Sequence, residues 1–186
     1  MRIISGSLKG KSINFIKNSK TRPLKDAVKE NIFNILKHSN FTNVKVENAN
    51  VLDLYSGVGS FGLESISRGA KQVTFIEGDK TAANILKENL IKLCIVGKAK
   101  IINDKVDSVL IKNNKEKFNI FFLDPPFNDK KYIVNFKLLK KNKLFFKNHI
   151  IIIHREKKTE DYLENYLDIK KIKKYGRSKI IFGSIK

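Results

Sequence analysis

Asp124-Pro125-Pro126-Phe127 puts a carboxylate, two rigid prolines and an aromatic ring into four consecutive positions. Proline fixes the backbone and has no amide N–H, so what this turn offers a ligand is acceptors, the Asp124 carboxylate and the Pro125 carbonyl. The exocyclic amine of a nucleobase is a poor nucleophile, because its lone pair is delocalised into the ring. Two acceptors, one for each N–H, draw that nitrogen toward a pyramidal form. Asp124 can also take the proton that must leave, and Phe127 can stack on the base. Asp124, Pro125, Pro126 and Phe127 are therefore the candidate catalytic residues. A paired base cannot present its amine in this way and must first be unstacked or flipped out. The bland alternative is a rigid turn after a strand.

The residues upstream weigh against that alternative. Val51-Leu52-Asp53-Leu54 is a short apolar run ending in Tyr55-Ser56-Gly57-Val58-Gly59-Ser60-Phe61-Gly62, a G-x-G-x-x-G turn. An amphipathic segment follows through Phe61, Leu63 and Ile66. Strand, tight glycine turn and helix make the opening unit of a nucleotide-binding α/β sheet. Glu77 comes about 20 residues after the loop begins, where such folds set a carboxylate on ribose hydroxyls; its other reading is a cap for the next helix. Asn103-Asp104 follows a third strand and suits an adenine ring, although Asp104 reads almost as well as a turn aspartate. With an activated sulfonium methyl donor in such a site, positioning carries most of the rate gain. Methyl transfer to a base amine is the chemistry these residues fit.

The elements that must hold them alternate in type. Arg2 to Ile16 reads as a basic β-hairpin around Gly6 and Gly10, with Lys9 and Lys11 either contacting a phosphate backbone or merely solvated. Thr21-Arg22-Pro23 separates it from a helix over about 24–38, whose apolar face carries Val28, Ile32, Ile35 and Leu36. Arg22 stands at that junction, a place to hold a phosphate or a solvent-facing start of a helix. Strands are expected at 72–76, 100–102, 118–123 and 145–153, and helices from about 79, at 132–139 and at 159–166. Ile169 to Tyr175 and Lys179 to Ile185 flank Gly176 as a closing antiparallel hairpin. The expected class is α/β with a mostly parallel sheet. Residues 1–40 form a small hairpin-and-helix extension, and 41–186 the main unit.

Composition bounds the partners. The 186 residues carry a net charge of +20, which points to a polyanion unless a lysine-rich bias explains it. Residues 1–30 hold 8 basic and 2 acidic groups, 137–186 hold 15 and 5, and the middle 15 and 11. The excess sits at the two ends, which favours a nucleic-acid footprint there over a general bias. A single cysteine, Cys94, rules out an internal disulfide, and no Cys/His cluster offers a metal site. The first residues lack the apolar core of a signal peptide, and the apolar run from Leu144 to Ile153 is too short to span a bilayer. A soluble, cytoplasmic monomer is expected.

Gly57-x-Gly59-x-x-Gly62, Glu77 and Asp124-Pro125-Pro126-Phe127 resemble the motifs of class I S-adenosylmethionine methyltransferases that act on amino groups. The chain as a whole resembles the RsmD family, bacterial enzymes that methylate guanine N2 in 16S ribosomal RNA. The likeness runs through Arg2-Ile3-Ile4-Ser5-Gly6, Lys9-Gly10, Thr21-Arg22-Pro23 and Glu30-Asn31-Ile32-Phe33-Asn34-Ile35-Leu36. It continues in Leu52 to Gly57, Gly62-Leu63-Glu64, Ser67-Arg68-Gly69-Ala70 and Tyr175-Gly176. The resemblance implies a Rossmann-like fold with a seven-stranded sheet. It implies cofactor binding by Asp53, Tyr55, Ser56, Gly57, Gly59, Gly62, Glu77 (ribose) and Asp104 (adenine); RNA contact is expected at Arg2, Lys9, Lys11 and Arg22 of the basic N-terminal stretch. It also implies a small ribosomal subunit or its assembly intermediate as partner, and no metal. Leu24, Lys25, Ala27 and His154-Arg155 depart from the family's pattern.

Three other activities share parts of the pattern. An adenine-N6 nucleic-acid methyltransferase would use the same turn but normally carries a separate recognition region. A protein-amide methyltransferase generally has Asn at the position of Asp124. A nicotinamide dehydrogenase accounts for the glycine loop and Glu77, and leaves Asp124 to Phe127 unexplained. A non-catalytic RNA-binding protein accounts only for the charge.

Overall fold

A computed structural model describes residues 1–16, 24–112 and 116–186. Its elements are α1 (Asp26–His38), β1 (Asn50–Leu54), α2 (Ser60–Ser67), β2 (Gln72–Ile76), α3 (Lys80–Lys92) and β3 (Ala99–Ile102). They continue with α4 (Val106–Ile111), β4 (Phe118–Leu123), α5 (Val134–Lys141), β5 (Phe145–Glu156), β6 (Leu167–Tyr175) and β7 (Ser178–Ile185). The strands form a seven-stranded sheet in the order β3-β2-β1-β4-β5-β7-β6. The first five pair in parallel, and β7 runs antiparallel to both β5 and β6. This is the Rossmann-like, mostly parallel architecture with an antiparallel C-terminal pair. Chain order reverses between β1 and β4, so a crevice opens at the carboxyl ends of those two strands.

Both faces of the sheet are covered, which is why β4 reads as a near-continuous apolar run, broken only at the half-buried Asn119. Ile120 and Phe122 enter one buried cluster with residues of α1, α2 and α3, and Phe121 and Leu123 enter the other with α4 and α5. Phe61 stacks on Phe122 at 4.1 Å and on Phe33 at 5.0 Å, linking α1, α2 and β4 through three rings. Ile3 and Ile13 are buried in the same cluster as α1. The N-terminal reversal is shorter than a full hairpin: a single bridge, Arg2 to Ser12, with Ile3 N–H donating to Lys11 O at 3.0 Å.

One local expectation fails and one element is additional to those expected. Residues 159–166 are not helical. Asp161 there is drawn into the molecule by Arg155 and Lys179, each at 2.9 Å, and buried Leu163 pins the turn that follows. A helical path would have had to give up those ion pairs. The six residues of α4 were not expected, since so short a segment carries little periodicity; Val106, Val109 and Leu110 are nevertheless its buried face. Among the described residues no helix is long and apolar enough to cross a membrane.

Candidate active site

The glycine turn is built by backbone geometry that side chains would obstruct. Tyr55, Gly57 and Gly59 have φ of 60°, 54° and 86°. A Cβ on Gly59 would stand 2.4 Å from Leu86 Cδ1, and one on Gly62 would stand 2.2 Å from Phe75 Cε1. These two glycines let α2 pack closely on β2 and α3. A Cβ on Gly57 would meet nothing within 4 Å, so this glycine answers to its positive φ and to the open space beside it. Asp53, at the end of β1, is 1% exposed, and its Oδ2 accepts the Gly62 N–H at 2.9 Å. Burial pushes its carboxyl well above the usual range, and the Gly62 bond only partly offsets this.

Glu77 follows β2, whose register sets Ile76 beside Leu54. Its Oε2 accepts the Gly57 N–H at 2.6 Å and its Oε1 the Asp79 N–H at 2.8 Å. The acid therefore braces the glycine turn, and each oxygen keeps lone pairs for another donor. Asp79 caps α3 by accepting from Ala82 N at 2.8 Å. Tyr55 accepts a 2.8 Å bond from buried Asn135 of α5, and burial pushes its hydroxyl up to about 12.

Asp124 continues from β4, its N–H donating to Leu54 O at 3.3 Å across the switch between β1 and β4. Its Oδ1 is 2.9 Å from His154 Nδ1, and the Phe127 and His154 rings pack nearly perpendicular with centroids 5.9 Å apart. Arg155, 1% exposed, supports the proline turn from beneath. Its Nη1 donates to Pro126 O at 3.0 Å and its Nη2 to Phe127 O at 2.9 Å, with longer contacts to Pro125 O and Asp129 O. The guanidinium lies 4.6 Å over Tyr132 and pairs through Nε with Asp161. Burial pushes the Asp161 carboxyl up. Hydrogen bonds from Lys179, Thr159 and Tyr132 and the Arg155 charge outweigh that and leave it below the usual range.

A cavity of about 470 Å³ joins the two loops. Asp53, Tyr55, Ser56, Gly57, Glu77 and Asp79 line one side, and Phe122 and Asp124 to Phe127 another. Met1, Phe15, Ile16 and Leu24 add an apolar wall from the N-terminal segment. In a chain of net charge +20, Glu77, Asp79 and Asp124 line this space beside Asp53, whose carboxyl burial pushes up, and, among the described residues, no lysine or arginine does. That charge pattern suits a cationic ligand.

The sequence-derived residues fall into three groups. Asp53, Tyr55, Ser56, Gly57, Glu77 and Asp124 to Phe127 come together at the cavity, with Gly59 and Gly62 in the packing behind it. Asp104 stands outside that lining, its carboxylate held low by hydrogen bonds from Lys112, at 2.8 Å, and from the Lys105 N–H. Arg2 lies 3.6 Å from Asp26, and Lys9 and Lys11 are exposed in the N-terminal turn. Arg22, with Thr21 and Pro23, lies outside the described residues. Arg155, His154, Asp161 and Asn135 act on the site without having been read as site residues. The only signal was the departure at His154-Arg155. Among the described residues no cluster of His, Cys, Asp and Glu could hold a metal ion.

Comparison with known proteins extends this picture. A family model described as conserved hypothetical protein 95 matches residues 1–184. Ribosomal RNA small subunit methyltransferase D of Haemophilus influenzae is 37% identical over 84% of this chain and 79% of its own length. A solved Escherichia coli protein assigned as a methyltransferase superposes with a TM-score of 0.85 at 26% identity, covering 100% of this chain and 98% of that one. A more distant structure, a protein complexed with SAH, shares the fold at a TM-score of 0.63 and 14% identity, over 84% of this chain and 49% of that one.

Proposed function

This chain belongs to the conserved hypothetical protein 95 family, the RsmD-type methyltransferases, and we propose that it moves a methyl group from S-adenosylmethionine to the exocyclic N2 of one guanine in 16S ribosomal RNA. The observation that carries this reading is the Asp124 carboxylate, with Oδ1 fixed by His154 and Oδ2 without a partner among the described residues, lining an acidic cavity beside the glycine turn. The carboxylate lining and the open space at Gly57 fit a donor that bears positive charge. Bound there, S-adenosylmethionine supplies a methyl group already activated as a sulfonium.

The protein's part is positioning and proton acceptance. Asp124 Oδ2 and the Pro125 carbonyl take one N–H each from the base amine and aim its lone pair into the cavity. Pro125 O keeps capacity for this, because Arg155 Nη1 is 3.5 Å away and lies nearer Pro126 O. Asp124 accepts the proton released from nitrogen, and Phe127 stacks on a base withdrawn from its helix. Glu77 takes the ribose hydroxyls, and the turn formed by Asp53, Tyr55, Ser56, Gly57, Gly59 and Gly62 takes the rest of the donor. Asp104, just beyond β3 and paired with Lys112, is the residue assigned to the adenine. Arg2, Lys9, Lys11 and Arg22 belong to an RNA-contacting extension within residues 1–40, serving a methyltransferase unit over 41–186. The small subunit or its assembly intermediate is the substrate, met by a monomer in the cytoplasm.

Asp124→Ala tests the reading. Methyl transfer is lost while the affinity for S-adenosylmethionine, measured by calorimetry, stays within about twofold. Undiminished turnover in that variant contradicts the mechanism.

A further inference from the structure

β5 lies between β4 and β7, and its pairing with β4 sets Ile153 beside Leu123. One step further along, His154 faces Asp124. The ring is 5% exposed and spans the sheet: Nδ1 is 2.9 Å from Asp124 Oδ1, and Nε2 is 2.9 Å from Ser178 Oγ at the start of β7. It also packs nearly perpendicular to the Phe127 ring. It thus touches both functional side chains of the turn while lying outside the cavity lining.

An ionised carboxylate only accepts hydrogen bonds, so the hydrogen between the two groups belongs to Nδ1. Ser178 can satisfy either remaining state of the ring, donating to a bare Nε2 or accepting from Nε2–H. We propose that His154 is a positioning residue for the methyl-transfer reaction: through Nδ1–H it locks the Asp124 carboxylate about its side-chain torsions, so that Oδ2 alone is presented to the amine. This rests on the methyl-transfer reading given above. In the step it supports, the amine lone pair forms the new N–C bond and the S–C pair stays on sulfur as a neutral thioether. The surplus proton passes from nitrogen to Asp124 Oδ2 and later to water. His154 keeps its own proton throughout. A carboxylate free to rotate would offer the wrong oxygen, or neither, in part of its population, which lowers turnover without weakening donor binding.

Three substitutions separate positioning from support of the fold. The amide nitrogen of Asn lies where Nδ1 lies in His, whereas that of Gln lies nearer Nε2. We expect His154→Ala and His154→Gln to lower kcat by about tenfold to a hundredfold with KM for S-adenosylmethionine unchanged. His154→Asn should recover most of the loss although it cannot reach Ser178. In parallel, ¹⁵N NMR of histidine-labelled protein, above the ordinary imidazole titration range, should show Nδ1 of His154 protonated, and Asp124→Ala should shift that signal. Equal turnover in the Asn and Gln variants, full activity in His154→Ala, or a bare Nδ1 would each overturn the proposal. A wild-type protein that transfers no methyl group to RNA would instead overturn the reading of the reaction, and the spectrum would then decide whether His154 holds Asp124.

Discussion

Glu64, fully buried on α2, accepts the backbone N–H of Ile4 through Oε2 at 2.7 Å. Its other oxygen takes Ser5 N–H at 3.0 Å and Arg68 Nε at 2.7 Å. Buried Lys29 of α1 lies 3.8 Å away and donates to Arg2 O. One carboxylate on the helix that opens at the glycine turn therefore fastens both the N-terminal segment and α1. Ser67 on the same helix repeats the pattern, since its Oγ accepts from Leu8 N–H and donates to Ser5 O. The apolar wall that the N-terminal segment gives the cavity is fixed relative to the methyl-transfer machinery by α2.

Glu64→Ala removes that fastening and leaves Lys29 buried without its main counter-charge, although Asp26 remains 3.8 Å away. Breaking a buried pair from one side costs about 3–5 kcal/mol, so urea unfolding should show a loss in that range. Adding Lys29→Met to Glu64→Ala, which removes the stranded buried charge, should recover part of it. An unchanged unfolding midpoint in Glu64→Ala contradicts the account.

Arg155→Met separates loop support from charge pairing. Asp161 keeps Lys179, so the stability loss should stay near about 1–3 kcal/mol, the cost of carbonyls left unpaired. Methyl transfer should fall far more than that loss implies, because the turn bearing Asp124 loses its under-support at Pro126 and Phe127. Activity that merely tracks the folded fraction contradicts a positioning role for the guanidinium.

The Asp161 network gives stability a sign against pH. Its folded-state pKa lies below its unfolded one, so the stability it contributes is complete above the ordinary carboxylate range and is lost as pH falls through the folded value. The stability gap between the wild type and Asp161→Asn, from urea titrations, should therefore shrink as the solution is acidified. A gap that stays constant removes the ionised network from the account.

The glycines divide by what stands opposite them. Gly62→Ala drives a methyl group into Phe75 and Val73 and should destabilise the fold by about 1–3 kcal/mol. Gly57→Ala meets no atom and carries only the strain of a positive φ, about 1 kcal/mol. Its methyl group projects beside the cavity, so it should weaken S-adenosylmethionine binding by more than its stability loss. Matched losses of stability and ligand affinity in the two variants contradict this division.

What could be read in the sequence was what depends on residues close together along the chain. β2 and β4 were legible to the residue, because mostly apolar stretches bounded by polar turns are local signals. The glycine turn and Asp124 to Phe127 were legible for the same reason, and the switch between β1 and β4 then brought them to one cavity. The pairs Asp124–His154 and Arg155–Pro126, about thirty residues apart, exist only once β5 lies beside β4. The segment 159–166 has a helical spacing of apolar residues, yet the ion pairs of Asp161 set its path. Glu64 read as part of a family motif; its bonds to Ile4 and Ser5, about sixty residues away, carried no sequence signal.

Methylation of guanine N2 in 16S ribosomal RNA can be measured directly. Radiolabelled S-adenosylmethionine should be incubated with the protein and small ribosomal subunits lacking the modification, alongside free 16S RNA and DNA, and the labelled nucleoside identified. N2-methylguanosine should be recovered from the small subunit and be lost with Asp124→Ala. Label in adenine, in DNA or in protein, or no label in any of them, contradicts the proposed reaction.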